Sequence, residues 1–235
     1  MIGKTTHRAA AIAAIGFFIA IAAIAAPKSA TAAIIVDGAT QGFYNAALGT
    51  ALDFTNPTGA TFLFPGANSN PNDPTLDPVP FEPDLSAAGA ILGDWLGNPG
   101  TLNANWSGPR AIPAAWAVNT ETAIVYAIDA GPTGLTNMVA SFGIDNGIFV
   151  WLDGVFLSGE LRPGGTFLGE HVINIGGLAA GTHYLQVLRE DHGGATGYAV
   201  QITADTATIP TPATWLLFSA GLAALARSRR RHAVA

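Results

Sequence analysis

The sequence predicts an all-β fold, an antiparallel β-sandwich, for the central part of the 235-residue chain. Three observations indicate it. Several short segments between residues 120 and 203 alternate their side chains with the period of two that a strand requires. An Asp-Gly dipeptide at 153 and 154 separates two apolar runs, as in a tight β-hairpin. No segment between residues 34 and 209 combines a helical period with capping residues.

The predicted strands follow one another at short intervals. They cover residues 34–36, 122–128, 138–144, 148–152, 155–157, 170–175, 183–189 and 198–203. Residues 65–83 hold six of the 15 prolines and are therefore expected to form a surface loop. Seven to ten short strands without helices are typical of a sandwich, in particular a jelly roll.

The Asp153-Gly154 hairpin is the sharpest local prediction. A type I′ turn needs positive φ at both central residues, which this dipeptide tolerates. The preceding run, 148–152, is apolar on both faces. We therefore expect it to form a central strand, buried on both sides.

Charge is divided unevenly along the chain. All 16 acids lie between residues 34 and 209, together with only Arg110, Arg162 and Arg189 among the 10 Lys and Arg residues, so this part carries a net charge of −13. Such a charge argues against nucleic acid as a partner, because phosphate binding requires a basic face. The chain has no cysteine, which excludes disulfides, thiolate metal sites and cysteine nucleophiles.

Residues 1–33 have the pattern of a secretory signal peptide. Lys4 and Arg8 precede an apolar run over 9–26, and small residues follow at an A-x-A site. Signal peptidase is expected to cut after Ala32 or Ala33, with Ala30 in the recognition site. A retained anchor helix is the alternative, since the apolar run is long enough to span a membrane.

The last segment, 209–235, consists of a proline-containing hinge, an apolar run and a basic end. The apolar run over 213–226 is short for a membrane span, which usually needs about 17 to 25 residues. Prolines 210 and 212 prevent a helix from continuing into it. The basic end holds that terminus in the cytoplasm; it contains Arg227, Arg229, Arg230 and Arg231.

This arrangement resembles the PEP-CTERM sorting signal of Gram-negative bacteria, in which Pro-Glu-Pro precedes an apolar helix and an arginine-rich end. Here the tripeptide is Pro210-Thr211-Pro212, without the acid. The resemblance implies a transient inner-membrane anchor and an exosortase-type enzyme that cuts near the tripeptide. The protein would then reach the cell envelope or the extracellular matrix. A permanent tail anchor, which leaves a periplasmic protein, is the alternative.

A second resemblance concerns residues 120–203. The segments 142–155, 178–187 and 193–198 are similar to the DN-x-x-x-x-x-[ND]-G hairpin and paired strands of galactose-binding-like sandwiches. The resemblance implies a galactose-binding-like β-sandwich for residues 34–208. It does not identify a ligand.

The residue patterns predict no catalytic site. Glu170-His171, His183 and Glu190-Asp191-His192 are immediate neighbours in turns or on opposite strand faces, so structural roles are expected and a zinc site is not. Oxygen ligands for Ca²⁺ are abundant, although no EF-hand spacing is present, and a structural Ca²⁺ remains open. The candidate ligands are Asn72, Asp73, Asp77, Glu82, Asp84, Asp145, Asn146 and Asp153.

Trp95 and Trp106 are the candidate ligand-binding residues. They stand among glycine, asparagine and proline, where exposed rings could stack on sugars; the alternative is that they cap the ends of the sandwich. The sequence thus predicts an exported, non-enzymatic protein with a structural or adhesive role, and polysaccharide as a weakly bound partner. A secreted carbohydrate-active enzyme is the rival, and it would require a cleft holding two carboxylates of raised pKa.

Overall fold

The computed structural model of the protein describes residues 32–59, 61–67, 72–206 and 222. Within them the chain forms ten β-strands, a 3₁₀ turn at Ser86–Ala88 and one short helix, α1, at Gly89–Leu92. The sequence predicts no helix there, because a single turn is too short to show a helical period. None of the helices in these residues is long and apolar enough to cross a membrane.

All strands pair antiparallel, in two sheets. A four-stranded sheet has the order β1-β10-β5-β8, and a six-stranded sheet has the order β3-β2-β4-β9-β6-β7. This confirms the predicted antiparallel, sandwich-like arrangement. The strands are β1 (Ala33–Val36), β2 (Gln41–Gly49), β3 (Arg110–Ala111), β4 (Glu121–Asp129), β5 (Leu135–Asp145), β6 (Gly147–Leu152), β7 (Val155–Leu161), β8 (His171–Leu178), β9 (Thr182–Glu190) and β10 (Gly197–Thr206).

An inner core fills the space between the two sheets. Alternate residues of β4, such as Ile124 and Tyr126, lie in one buried cluster with Phe142 of β5 and Ile202 of β10. Each is 0% or 1% exposed. The period-two pattern of the sequence therefore corresponds to two faces of each strand, of which one points into this core.

An outer core covers the opposite face of the six-stranded sheet. The described part of residues 50–106, which we call the cover segment, folds back over this face and buries Val125, Phe149 and Trp151. The cover segment contributes Leu52, Leu63, Phe64, Val79, Leu92, Trp95 and Trp106. The six-stranded sheet is consequently buried on both sides.

The β6–β7 hairpin confirms the strongest local prediction. Its turn residues, Asp153 and Gly154, have φ values of 49° and 77°, as a type I′ turn requires. β6 lies between β9 and β7, so the predicted internal position is also confirmed. Its apolar residues on both faces are explained by the two cores.

The proline-rich part of the cover segment is tied to the sheet. Leu76 pairs with Leu161 through two backbone hydrogen bonds of 2.9 Å, and the Val79 N–H donates to the Gly159 carbonyl at 2.7 Å. Val79 is 4% exposed. The described part of the predicted surface loop therefore continues the six-stranded sheet beyond β7.

Candidate functional site at the acidic end

Antiparallel topology brings acids that are distant in sequence to one end of the sandwich. Glu121 is the first residue of β4, Asp145 the last of β5, and Glu190 the last of β9. Glu160 lies one residue before the end of β7, and His171 begins β8. We call this the acidic end. The opposite end, which carries the Asp153-Gly154 hairpin, is called the turn end.

Asp145 and Asp191 are buried carboxylates, 7% and 1% exposed. Asp191 Oδ2 accepts hydrogen bonds from the backbone N–H groups of Asn119 and Gly193, at 2.7 and 3.3 Å. Asp145 accepts one from the N–H of Gly165. The Oδ1 atom of each is buried and has no hydrogen-bond partner among the described residues. Two oxygens at the acidic end are thus available as ligands.

The environment of this pair disfavours negative charge. Burial, together with the negative charge of Asp191, raises the pKa of Asp145 to about 6. Burial likewise raises the pKa of Asp191. A buried carboxylate is stabilised by a proton or by a cation.

His192 joins several buried polar groups beside this pair. Its Nε2 lies 2.9 Å from Asp73 Oδ2, and its Nδ1 lies 3.6 Å from Glu190 Oε1. Its backbone N–H donates to Asn146 Oδ1 at 3.3 Å. Although burial lowers it, the hydrogen bond and charge of Glu190, with the charge of Asp73, raise the net pKa of His192. The two neighbouring acids therefore favour the protonated form of His192.

Glu121 lies at the same end and is 1% exposed. Burial raises its pKa to about 9, with added contributions from the charges of Glu190 and Asp53. Glu121 is therefore neutral at pH 7, whereas an exposed glutamate is ionised. Its proton is part of the folded structure.

The predicted calcium ligands divide between distant places. Asp73, Asp77, Asp145 and Asn146 come to the acidic end. Glu82 instead accepts a 2.7 Å hydrogen bond from Trp151 Nε1. The remaining candidates lie elsewhere: Asn72 and Asp84 are exposed in the cover segment, and Asp153 lies at the turn end.

The three candidate histidines do not come together in one place. His171 and His192 lie at the acidic end, whereas His183 lies at the turn end. There, its Nδ1 is 2.6 Å from Asp153 Oδ2 and its Nε2 is 3.0 Å from the Ala179 carbonyl oxygen.

A groove of about 360 Å³ opens at the turn end. It is lined by residues 96–100 together with Asp153, Thr182, His183 and Tyr184. The buried carboxyls of raised pKa, Glu121, Asp145, Glu190 and Asp191, are at the other end of the strands. In the described part of the chain, this groove and these carboxyls are therefore separated by the length of the sheet.

Trp95 and Trp106 are not exposed, so the prediction of solvent-facing rings is wrong. They are 2% and 8% exposed and stack with ring centroids 5.6 Å apart. Trp106 Nε1 donates to the Leu92 carbonyl at 3.0 Å. Both rings belong to the outer core, because the cover segment folds its apolar side chains onto the six-stranded sheet. They cannot stack on a sugar in this arrangement.

Sequence reasoning missed Glu121 and Glu160 and gave Glu190 and Asp191 only a turn role. In the sequence, each of these acids is a charged residue at or next to the end of an otherwise apolar strand. This pattern indicates a site only once the fold shows that these strand ends lie together.

At the predicted signal-peptide cleavage site, Ala32 is exposed, and Ala33 begins β1 and pairs with Ala204. Other processing residues lie outside the described residues: Ala30, Pro210, Thr211, Pro212, Arg227, Arg229, Arg230 and Arg231.

No family model matches the chain, and no curated protein matches its sequence significantly. The solved structures that match include three remote likenesses. A PA14 sugar-binding domain from an RTX adhesin is 11% identical, with a TM-score of 0.31 over 70% of this chain and 90% of that one. An anti-sigma factor domain-containing protein is 15% identical, with a TM-score of 0.32 over 43% and 38%. A GH31 alpha-xylosidase from Xanthomonas citri is 12% identical, with a TM-score of 0.25 over 41% and 12%. At TM-scores this low, none of these likenesses identifies a ligand or an activity for this chain.

Proposed function

We propose that this is an exported, non-enzymatic protein of the cell envelope or extracellular matrix, with a structural or adhesive role. In this proposal the acidic end holds Ca²⁺, and the bound ion supports weak binding of polysaccharide. The domain is a jelly roll of the galactose-binding-like type. The signal-like start and PEP-CTERM-like end provide export, through signal peptidase, a transient membrane anchor and an exosortase-type enzyme.

The observation that carries the binding proposal is the pair of buried Oδ1 atoms on Asp145 and Asp191, which have no hydrogen-bond partner among the described residues. Ca²⁺ prefers carboxylate and carbonyl oxygens, with about six to eight ligands and water among them. Such an ion would neutralise the repulsion that contributes to the raised pKa of Asp145. Hard oxygen ligands favour Ca²⁺ over softer transition ions here.

The surroundings of this pair allow a ligand to approach. Gly165 and Gly193, which donate backbone hydrogen bonds to the two carboxylates, are only partly buried, and Gly194 is exposed. Glycine lets another molecule come close to the backbone. Sugar hydroxyl groups could therefore replace water on a calcium ion held beneath these segments.

A binding role is supported over an enzymatic one by the separation of the two ends. A carbohydrate-active enzyme of the usual type requires two carboxyl groups facing one sugar-sized cleft. Here the groove at the turn end and the raised-pKa carboxyls occupy opposite ends of the strands. Among the described residues, the groove at the turn end therefore does not contain the raised-pKa carboxyls.

The calcium proposal is tested with Asp145→Asn and Asp191→Asn, by calorimetric titration with Ca²⁺ and by melting with and without the ion. We expect Ca²⁺ to stabilise the wild-type protein, by about 2.7 kcal/mol at a concentration 100 times its Kd. Either variant should lose this response. Asp145→Asn should also melt higher than the wild type without calcium, since it removes a buried charge.

The matched control is Asp129→Asn, an exposed acid at the turn end of β4, which should keep the full calcium response. A wild-type protein that binds no Ca²⁺, or two variants that bind it as the wild type does, would refute the calcium proposal. Sedimentation with host matrix polysaccharide, with and without a chelator, then tests the ligand. If the protein binds polysaccharide equally well with and without the chelator, polysaccharide binding does not depend on calcium.

Sorting is tested by the intact mass of the protein recovered separately from the medium and the membranes of its host. Released protein is expected to lack the chain up to Ala32 or Ala33 and the segment beyond about Pro210. A retained C-terminus in the membrane fraction would instead make this a tail-anchored periplasmic protein.

A further inference from the structure

A second group of ligand-type side chains lies where the two sheets meet at the acidic end. Glu160 is on β7, an edge strand of the six-stranded sheet, and His171 begins β8, an edge strand of the four-stranded sheet. Asp77 comes from the cover segment, next to the Leu76 bridge. Glu160 is 0% and His171 2% exposed, whereas the Asp77 side chain is 40% exposed. Three separate parts of the fold therefore converge here.

The facing atoms have the spacing of metal ligands. His171 Nδ1 lies 2.9 Å from Glu160 Oε2 and 3.6 Å from Asp77 Oδ1, and one ligand atom of each residue lies within 4.8 Å of the other two. Tetrahedral Zn²⁺ with bonds of about 2.0 to 2.1 Å separates its ligands by roughly 3.3 Å. The two observed distances bracket that value.

Three buried atoms of this group lack hydrogen bonds, namely Glu160 Oε2 and the two ring nitrogens of His171. Neither Glu160 Oε2 nor His171 Nδ1 makes a hydrogen bond of acceptable geometry with any described residue, although the two atoms are close. Buried polar atoms are normally satisfied. Glu160 Oε2 and His171 Nδ1 are therefore two buried ligand-type atoms without a hydrogen bond, and the 40% exposed Asp77 lies beside them.

Arg162 binds the other oxygen of each carboxylate. Its Nη2 lies 3.0 Å from Asp77 Oδ2, and its Nε donates to Glu160 Oε1. Each carboxylate thus has one oxygen turned to the guanidinium and the other turned to His171. Outer partners of this kind orient the ligands of a metal.

We propose that Asp77, Glu160 and His171 bind a divalent transition ion, with Zn²⁺ as the representative and a fourth position open to solvent. The imidazole ligand favours such an ion over Ca²⁺ or Mg²⁺. A bound ion ties the cover segment to the edges of both sheets. The site goes beyond the proposed function, because it shares no ligand with the Asp145 and Asp191 pair.

The test is equilibrium dialysis of the tag-free protein against Zn²⁺, with metal analysis, and Co²⁺ substitution read by visible absorption. The wild type is expected to bind one ion at this site. Asp77→Asn and His171→Gln should each weaken binding at least about tenfold, since loss of even an outer partner typically costs that much. Asp77→Asn changes a partly exposed residue, so it still tests the site if the His171→Gln variant does not fold.

His183→Gln is the matched control, because His183 also lies beside a carboxylate but outside the cluster, and it should bind Zn²⁺ as the wild type does. Asp145→Asn should likewise retain Zn²⁺, while Asp77→Asn retains the response to Ca²⁺, which separates this site from the proposed calcium site. A wild-type protein without Zn²⁺ affinity would overturn the inference. Equal affinity in the wild type and folded Asp77→Asn would do the same.

Discussion

The two ends of the sandwich contain the same chemical pair in different surroundings. At the acidic end, His192 lies beside Asp73 and Glu190 and is 0% exposed. At the turn end, His183 lies beside Asp153, and their side chains are 16% and 43% exposed. Water screens the second pair and is excluded from the first. The contribution of an imidazole–carboxylate pair to the free energy of unfolding therefore depends on how deeply the pair is buried.

The cover segment reaches both ends but covers them differently. At the turn end, residues 96–100 leave an open groove beside Asp153 and His183, whose side chains stay partly exposed. The acidic end is covered by the chain that follows β2, where the Leu63 N–H donates to Glu190 Oε1 at 3.0 Å and the Phe62 and His192 ring centroids lie 5.0 Å apart. The buried acids therefore lie where the cover segment packs directly onto the strand ends.

The largest expected effect comes from His192→Ala. Removal of one partner from a buried ionic group typically costs about 3 to 5 kcal/mol, because the charges left behind remain buried. His183→Ala, its counterpart at the turn end, should cost less than about 1 kcal/mol, as exposed pairs do. Urea denaturation at pH 7 in the presence of a chelator measures both. Similar losses in the two variants would contradict the comparison.

Glu121→Gln should raise the free energy of unfolding at neutral pH. Because burial raises the pKa of Glu121 to about 9, the folded protein keeps a proton that the unfolded chain releases above a pH near 4.5. Stability is therefore lost as pH rises between these values. At pH 7, replacement by the neutral amide should recover about 3 kcal/mol.

Denaturation of Glu121→Gln and wild type at several pH values between 5 and 9 tests the sign. The difference between the two proteins should grow with pH. Asp129→Asn, an exposed change at the other end of the same strand, provides the control. A constant difference across this range would mean that Glu121 does not hold its proton in the folded state.

The smallest effect is the pH dependence of the His183 pair. The hydrogen bond to Asp153 raises the pKa of His183, against the opposing effect of burial, and the Ala179 carbonyl adds to it. Its contribution is complete below a pH of about 6.5 and is lost as pH rises through the folded pKa. Wild type should exceed His183→Gln by less than about 1 kcal/mol at pH 5.5, with no gain at pH 9. If the stability difference between wild type and His183→Gln instead increases toward pH 9, the predicted direction of the His183 pKa shift is wrong.

The strands were predictable because their signals are local. The alternation in 122–128 and 198–203 and the Asp153-Gly154 turn depend on neighbouring residues only. The burial of Trp95 and Trp106 was not predictable, since it depends on the cover segment reaching a sheet whose strands follow later in the chain. The acidic end was missed for the same reason: Glu121 and Glu190 pair across the β4–β9 ladder although they are distant in sequence.

The cover segment has a consequence for the order in which the protein opens. Its described backbone hydrogen bonds to the strands include those of Leu76 and Val79, and most of its other backbone bonds are local turns. A segment held mainly by side-chain burial can detach as one cooperative unit while the sheets stay paired. Slow amide exchange is then expected for β4, β6 and β9, and earlier exchange for the described residues of the cover segment. In such a partly open state Phe149 and Trp151 become solvent-exposed, and the outer face of the sheet becomes the surface most prone to association.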